Sequence, residues 1–319
     1  MIIKRRNVPL MGVIELFASL TILMSLISLF PSFNWFFELT VHFKFQYFIA
    51  SLVFFCIFLY SGKIWVTGLL AGCLLLNAFF VIPVYWNKQN GASDTQSALN
   101  LMLLNLQSHN TDYPAVTQLI RSYSPDIFIG QEINKEWQQE LESLVHLYPY
   151  QKIISRLDNF GIAILSKIPL DSIETHRWGE AKLPTLSANF VFNNQTIKLI
   201  TTHLLPPGDK TYYQLRNDHA NTLVKKLLPA STPLIIAGDL NMTQWSNNYQ
   251  ILEDQTHMYN ARQGFGILAT WPAWLGGLGL PIDHILVSQH FNVKYIETGP
   301  NVNSDHLPII ATLSLNKVR

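Results

Sequence analysis

Three long apolar runs crowd into the first 86 of 319 residues, and they limit what this chain can fold into more than any other feature. Leu10 to Phe30 is nearly unbroken apolar sequence with Glu15 as its only charge. Phe45 to Tyr60 is a second run, and Ile64 to Trp86 a third with no charge at all. A helix that crosses a bilayer needs about 20 apolar residues, about 17 at the least. The first and third runs clear that length, and the second reaches it once Ser61 or the stem of Lys44 is counted. A buried core helix is the competing reading of the second run, and a cleaved signal peptide that of the first. No small-x-small cleavage site follows Phe30, and two more apolar runs come after it. Three spans are therefore expected, at about 10–30, 45–61 and 64–86.

Basic residues near the spans set their orientation. Lys4, Arg5 and Arg6 precede the first span, and Lys63 lies in the Ser61-Gly62-Lys63 turn between the second and third. Placing these four inside leaves Lys44 and Lys88 outside, and puts everything after Trp86 outside the cytoplasm. Trp35, Tyr85 and Trp86 flank the spans where interfacial aromatics belong. Glu15 is expected near the interface or turned toward a neighbouring helix.

Residues 1–86 thus read as an anchor, the polar and breaker-rich stretch 87–98 as a linker, and 99–319 as one soluble domain large enough for a two-sheet core. From Asn87 onward there are 17 Lys and Arg against 19 Asp and Glu, a net charge near −2. That is not the basic footprint of a protein that grips nucleic-acid backbones. Both cysteines, Cys56 and Cys73, fall in the apolar runs, so the soluble domain has no disulfide.

Within that domain, several short apolar runs stop at polar residues. Leu234-Ile235-Ile236-Ala237-Gly238-Asp239-Leu240-Asn241 reads as a buried strand. Gly238 is expected to let the backbone turn or a ligand approach, and strand alternation to put Asp239 and Asn241 on one side. An Asx turn after a strand gives the same pattern. The run Leu101 to Leu104 ends at Asn105, Asp126 to Gln131 at Glu132, and Leu199 to Thr202 at His203. Asp305-His306 borders the run Ile309 to Leu313, and Asp283 opens the run Ile285 to Ser288. Polar groups gathered at strand edges are how a sheet builds a site at one rim. Strands are expected near 99–105, 126–131, 161–166, 186–192, 196–203, 233–238, 282–287 and 307–314. Helical spacing covers Tyr113 to Tyr123, Lys135 to Leu147 and Thr211 to Leu228. Adjacent strands without a helix between them argue for hairpins and against a doubly wound sheet.

In order and type, Asn105, Glu132, His203, Asp239, Asn241, Asp283, Asp305 and His306 resemble the endonuclease/exonuclease/phosphatase superfamily. The segment Phe160 to Pro169 resembles another of its strand regions, and the likeness spans about residues 99 to 315. Thr270-Trp271-Pro272 ahead of Pro281-Ile282-Asp283-His284 most resembles a bacterial membrane-anchored branch with three N-terminal spans. The resemblance implies a four-layer α-β-β-α sandwich of two mixed sheets, preceded here by the three-helix transmembrane anchor. It also implies a metal-dependent phosphoesterase in the bacterial inner membrane, whose catalytic domain the basic residues place outside the cytoplasm.

Hard oxygen ligands such as Glu132 select Mg²⁺ or Mn²⁺ over zinc, for which no Cys/His set exists. By the resemblance, Asn105 and Asp305 complete the metal environment and Asp239 activates or orients water. Asn241, His203 and His306 then donate to phosphoryl oxygens, and Asp283 pairs with His306 and fixes its tautomer. His219, His257, His284 and His290 have no such support, and His284 is expected to face away from Asp283. The expected partners are the lipid bilayer and a phosphate-containing substrate, first a lipid-linked or headgroup phosphate. An extracytoplasmic nuclease is the alternative, although the charge does not favour nucleic acid, and a non-catalytic membrane interaction module is a further one. The uncharged segment Gly264 to Leu280 reads either as a loop packed over the sheets or as a lip that touches lipid through Trp271 and Trp274. The linker can reach at most about 40 Å, which keeps the site close to the bilayer.

Overall fold

Residues 10–86, 97–228 and 232–316 are described by a computed structural model. Lys4, Arg5, Arg6, Lys88 and residues 87–96 of the expected linker lie outside them. The chain divides into two compact units with the boundary between Pro83 and Val84.

The first unit is helical: α1 (Leu10–Ile27), α2 (Trp35–Val41), α3 (Lys44–Ser61) and α4 (Ile64–Val81). Three helices among the described residues are long and apolar enough to cross a membrane: α1, α3, and α4 with the 3₁₀ turn that continues it to Tyr85. Much of their apolar surface, including Leu23, Trp65, Leu69, Leu75 and Phe79, faces outward. A helix apolar all round is either a core helix or a membrane span, and such exposure favours the second. Glu15 of α1 pairs with Lys63, so its charge is neutralised by the α3–α4 turn. Lys44 is buried at the start of α3, where its Nζ donates to Ser28 Oγ at 2.8 Å and lies 4.2 Å from the Phe80 ring centroid. The short α2 had no periodic signal in seven residues; Asn34 caps it by accepting from Phe36 and Phe37 N–H at 2.9 and 3.1 Å.

The second unit carries β1 (Leu99–Asn105), α5 (Tyr113–Tyr123), β2 (Ile127–Gln131), α6 (Lys135–Glu142), β3 (Tyr150–Ile154), β4 (Ile162–Ser166), β5 (Leu170–His176), β6 (Thr185–Phe192) and β7 (Gln195–Thr202). It continues with α7 (Lys210–Leu227), β8 (Leu234–Asp239), α8 (Asn247–Thr256), β9 (Met258–Asn260), β10 (Asp283–Ser288), β11 (Phe291–Thr298) and β12 (Ile309–Leu315). These form two six-stranded sheets, ordered β11-β12-β1-β2-β4-β3 and β5-β6-β7-β8-β10-β9. Only β1–β2 and β7–β8 pair in parallel among the described residues, so both sheets are mixed. The Asn193-Asn194 turn joining β6 to β7 has φ of 50° and 62°, the left-handed pair that a two-residue hairpin needs.

Strand alternation sorts the side chains into layers. Leu101, Leu103, Ile127 and Ile129 of the first sheet meet Leu199, Ile235, Ala237, Ile285 and Val287 of the second in the core between the sheets. The opposite face of the first sheet packs on α5 and α6 through residues such as Met102, Phe128, Val116 and Trp137. The outer face of the second packs on α7 and α8 through Ile200, Ile236, Leu223 and Leu252. This is the four-layer α-β-β-α sandwich with two mixed sheets.

Two expectations are corrected. The helical spacing expected to run to Leu147 stops at Glu142 and tightens into a 3₁₀ turn over Ser143–His146. Gly238 neither turns the chain nor opens it to a ligand: it lies inside β8, where an added Cβ would sit 1.9 Å from the Thr202 carbonyl oxygen and 2.8 Å from Gln131 Nε2. Only glycine permits that approach.

Candidate active site

The inward rows change character at one end of the sandwich. Leu101 and Leu103 are followed in their row by Asn105, Ile127 and Ile129 by Gln131, and Ile235 and Ala237 by Asp239. On β10, which runs the other way, Asp283 precedes Ile285, and it stands opposite Asp239 in register. His203 follows β7, while Asp305 and His306 lie in the loop before β12. One rim of the inter-sheet core is therefore built of carboxylates, amides and imidazoles, most of them buried.

His306 occupies the middle of this cluster. Its Nδ1 donates to Asp283 Oδ2 at 2.8 Å, and its Nε2 lies 3.7 Å from Asp239 Oδ2. His203 Nε2 approaches the same Asp239 oxygen at 3.4 Å. Burial pulls the pKa of His306 down, but the charge and hydrogen bond of Asp283, with Asp239 and Asp305, outweigh it and raise the value to about 10. His203 is likewise raised against burial, by its hydrogen bond to Asp239 and the charges of Asp239 and Glu132. Burial raises the pKa of Asp239, yet the two imidazoles and the Asn241 N–H bring the net shift below the ordinary carboxylate value. An imidazolium at His306 and an ionised Asp239 follow at neutral pH, with His203 shifted toward its charged form.

Asn105 binds the neighbouring carboxylates together, its Nδ2 donating to Glu132 Oε1 at 3.1 Å and to Asp239 Oδ2 at 3.3 Å. Glu132 has a left-handed φ of 59°, which ends β2, and its Oε2 accepts from Ser108 N at 3.1 Å. Asp305 Oδ2 accepts from Trp271 Nε1 at 3.1 Å, while Asp305 Oδ1 and Asp283 Oδ1 are buried without a hydrogen-bond partner. Four carboxylates (Glu132, Asp239, Asp283 and Asp305) thus share two imidazoles, and two of their oxygens are unspent. Unspent hard carboxylate oxygen of this kind fits a divalent cation such as Mg²⁺. The tightest acid–imidazole group is Asp239, Asp283 and His306, whose ligating atoms lie within 4.8 Å of one another.

Asn241 reaches the cluster by an Asx turn and not by strand alternation. β8 ends at Asp239, and Asn241 has φ of 50°, so strand alternation does not extend to it. It is instead folded back by an Asx turn, in which Asp239 Oδ1 accepts from Asn241 N at 2.8 Å. Its side-chain amide donates to Leu204 O at 2.8 Å and stands 3.4 Å from His203 Nε2. His284 points to the opposite face, as strand alternation requires, with Nε2 2.8 Å from Met242 O and its ring 4.6 Å from that of Tyr249.

Several supporting residues escaped the sequence reading. Gln131 crosses between the sheets: its Nε2 donates to Thr202 O and its Oε1 accepts from Asp239 N, both at 2.7 Å. A polar residue in an inward apolar row was the available signal. Ser304 Oγ donates to Asn105 O at 2.7 Å and accepts from His306 N at 3.0 Å. Two buried guanidiniums support the site from behind, Arg216 donating to Asn241 O at 3.0 Å and Arg262 to Asp283 O. Burial lowers the pKa of Arg262 to about 10, which leaves it charged at neutral pH. An isolated arginine in a loop carries no signal that would have found it.

A face-to-face pair of mixed sheets with an acid–amide–imidazole cluster at one rim defines an α/β sandwich of the phosphoesterase type. The family model described as "Endonuclease/Exonuclease/phosphatase family" matches residues 102–306, and the chain belongs to that family. The family includes metal-dependent phosphoesterases and nucleases, and its enzymes commonly use divalent metals. No curated protein matches the sequence. Among solved structures, the chain is similar to an endonuclease/exonuclease/phosphatase from Bacteroides vulgatus, with 19% identity, TM-score 0.59, and coverage of 69% of this chain and 100% of that one. It is similar to the human Nocturnin catalytic domain with bound sulfate anion, with 17% identity, TM-score 0.58, and coverage of 73% and 99%. A third likeness is to D. rerio TDP2 complexed with single strand DNA product, with 17% identity, TM-score 0.58, and coverage of 68% and 99%. At these identities the likeness speaks for the fold.

Proposed function

We propose that this chain is a membrane-anchored, divalent-metal-dependent phosphoesterase that hydrolyses a phosphate ester of a lipid-linked or headgroup substrate. The observation that carries the reading is His306 held between Asp283 and Asp239, in a rim where oxygens of Asp283 and Asp305 are buried without a hydrogen-bond partner. Glu132, with Asp305 and Asn105, would hold Mg²⁺ or Mn²⁺. A bound ion supplies Lewis-acid charge at a phosphoryl oxygen. Asp239, ionised and fixed by Gln131 and Asn241, accepts a proton of water or orients it toward phosphorus. The imidazolium of His306, the imidazole of His203 and the amide of Asn241 donate to the phosphoryl oxygens as charge moves onto them. Asp283 holds the Nδ1–H of His306, so that Nε2–H is the proton facing the site.

Three helices apolar enough to cross a membrane support the anchor, and the basic residues near them favour an extracytoplasmic domain in a bacterial inner membrane. The charge near −2 beyond Asn87 favours a lipid phosphate over a polynucleotide. The test is a substrate panel with Mg²⁺: a lipid pyrophosphate, sphingomyelin, a generic phosphodiester, and single-stranded and duplex DNA. The lipid phosphates are expected to turn over fastest. Faster cleavage of DNA would replace this reading with an extracytoplasmic nuclease, and no hydrolysis of any of them would favour a non-catalytic interaction module.

A further inference from the structure

Two tips with exposed apolar side chains flank the mouth of the site, one from each sheet. The first is the Ser155–Phe160 connection between β3 and β4, where Leu157 is 99% exposed. Its two charges cancel, Arg156 Nε donating to Asp158 Oδ1 at 2.7 Å. The connection is braced against the site: Ser108, whose N–H binds Glu132, donates through Oγ to Asn159 Oδ1 at 2.6 Å. The Phe160 ring lies 4.9 Å from that of His203.

The second tip is the excursion from Trp271 to Leu280, closed at its neck by the backbone pair between those two residues. Its base is fixed to the site loop through Ala273 N to Asp305 O at 2.7 Å and Leu307 N to Thr270 O at 2.9 Å. Its end is not covered: Trp274 is 79% exposed and Leu278 50%, and a Cβ added at Gly276 or Gly277 would meet nothing within 4 Å. Within Gly264–Leu280, Ile267 and Ala269 are buried, as in a loop packed over the sheets, while Trp274 and Leu278 near its end are exposed.

A single exposed leucine is ordinary. Exposed apolar side chains at two tips on different sheets, both braced against one carboxylate–imidazole site, point to a surface that apolar groups enter. The chain itself indicates which surface. Val84, three residues beyond the end of α4, accepts from Gly264 N at 2.9 Å, and Trp86 O accepts from Gln263 Nε2 at 2.9 Å. The uncharged segment that carries the second tip therefore starts bonded to Val84 and Trp86, where the third apolar helix ends at Tyr85, all within the second unit. Tyr85 and Trp86 are exposed there, as aromatics at a membrane–water interface are.

We propose that the mouth of this site docks on the lipid bilayer through Leu157 and Trp274 with Leu278, so that the phosphate it receives is one embedded in that bilayer. The proposal rests on the phosphoesterase reading for its substrate but not for the docking itself. Neither tip carries net charge, so docking is apolar and insensitive to salt, unlike attraction of a polybasic patch to anionic lipid.

The test uses the full-length protein reconstituted in vesicles of zwitterionic phosphatidylcholine with brominated acyl chains. The tryptophan emission lost in Trp274→Ala reports on Trp274. It should be quenched by the brominated chains, shielded from aqueous iodide, and unchanged by added salt. Full iodide quenching without bromolipid quenching would overturn docking and leave the phosphoesterase reading intact. Shielding from both quenchers would also overturn it, since a protein surface would then cover the tip. In hydrolysis, the double variant Leu157→Ser/Trp274→Ala should lose about tenfold or more on a vesicle-embedded phospholipid and stay within about twofold on a soluble phosphodiester. Equal losses on both would make the tips structural and overturn the proposal. Failure of the unaltered protein on both substrates would sink the phosphoesterase reading, with quenching still deciding the docking.

Discussion

Burial works against a charge on His306, yet Asp283 at 2.8 Å, with Asp239 and Asp305, raises its pKa to about 10. A raised histidine pKa means that the cation is complete at neutral pH and is lost as pH rises through the folded value. Its contribution to stability has the same sign, fully present below the unfolded pKa of about 6.5 and lost as pH climbs through about 10. The turnover number should therefore hold through the mildly alkaline range and fall as pH approaches about 10. Asp283→Asn removes the charge that outweighs burial, so the alkaline limb should move toward neutrality and the maximum rate should drop. The pH–rate profiles of both proteins on a soluble phosphodiester check this, and an unmoved limb would take His306 out of the titration. Asp283, Glu132 and Asp239 were legible in the sequence because each interrupts an apolar run at a strand end. Arg216 and Arg262 were not: each acts on the backbone of a residue far away in sequence, and only the folded chain brings them together.

The strands buried on both faces, β1, β2, β4, β7, β8 and β10, were evident as apolar runs ended by a polar residue. Edge strands were not. β5 reads Leu-Asp-Ser-Ile-Glu-Thr-His and is largely exposed, β3 and β9 close the other edges, and the register of β11 against β12 shifts between Val293 and Tyr295. Edge strands bury one face at most, so apolar run length is a poor guide to them. The joint between the sheets was also hidden, because Gln131 looked like one more strand residue. It satisfies the Thr202 carbonyl and the Asp239 N–H at once. Gln131→Leu should leave both buried groups unpaired at about 1–3 kcal/mol each, roughly 2–4 kcal/mol together after relaxation. Catalysis should fall further than stability alone explains, because Asp239 loses its fixed backbone. Denaturant unfolding and the turnover number of the same variant measure the two effects, and unchanged values in both would remove Gln131 from the site's support.

At the scale of the whole molecule, three apolar helices are joined in one chain to an endonuclease/exonuclease/phosphatase domain. The helices were plain in the sequence because the capacity to cross a membrane is written in length and composition alone. The site was legible through its order of residue types, whereas the identity of its substrate is a matter of shape and surface at the mouth, which no local motif encodes. The claim beneath both functional inferences is that this rim hydrolyses a phosphate ester with a divalent metal. Hydrolysis of a soluble phosphodiester by the full-length protein in detergent tests it most directly, measured with Mg²⁺, with EDTA, and after Mg²⁺ or Mn²⁺ is returned. Turnover should require the metal, recover on its return, and fall by orders of magnitude in both Glu132→Gln and Asp239→Asn. Full activity in EDTA, or in either variant, would contradict it.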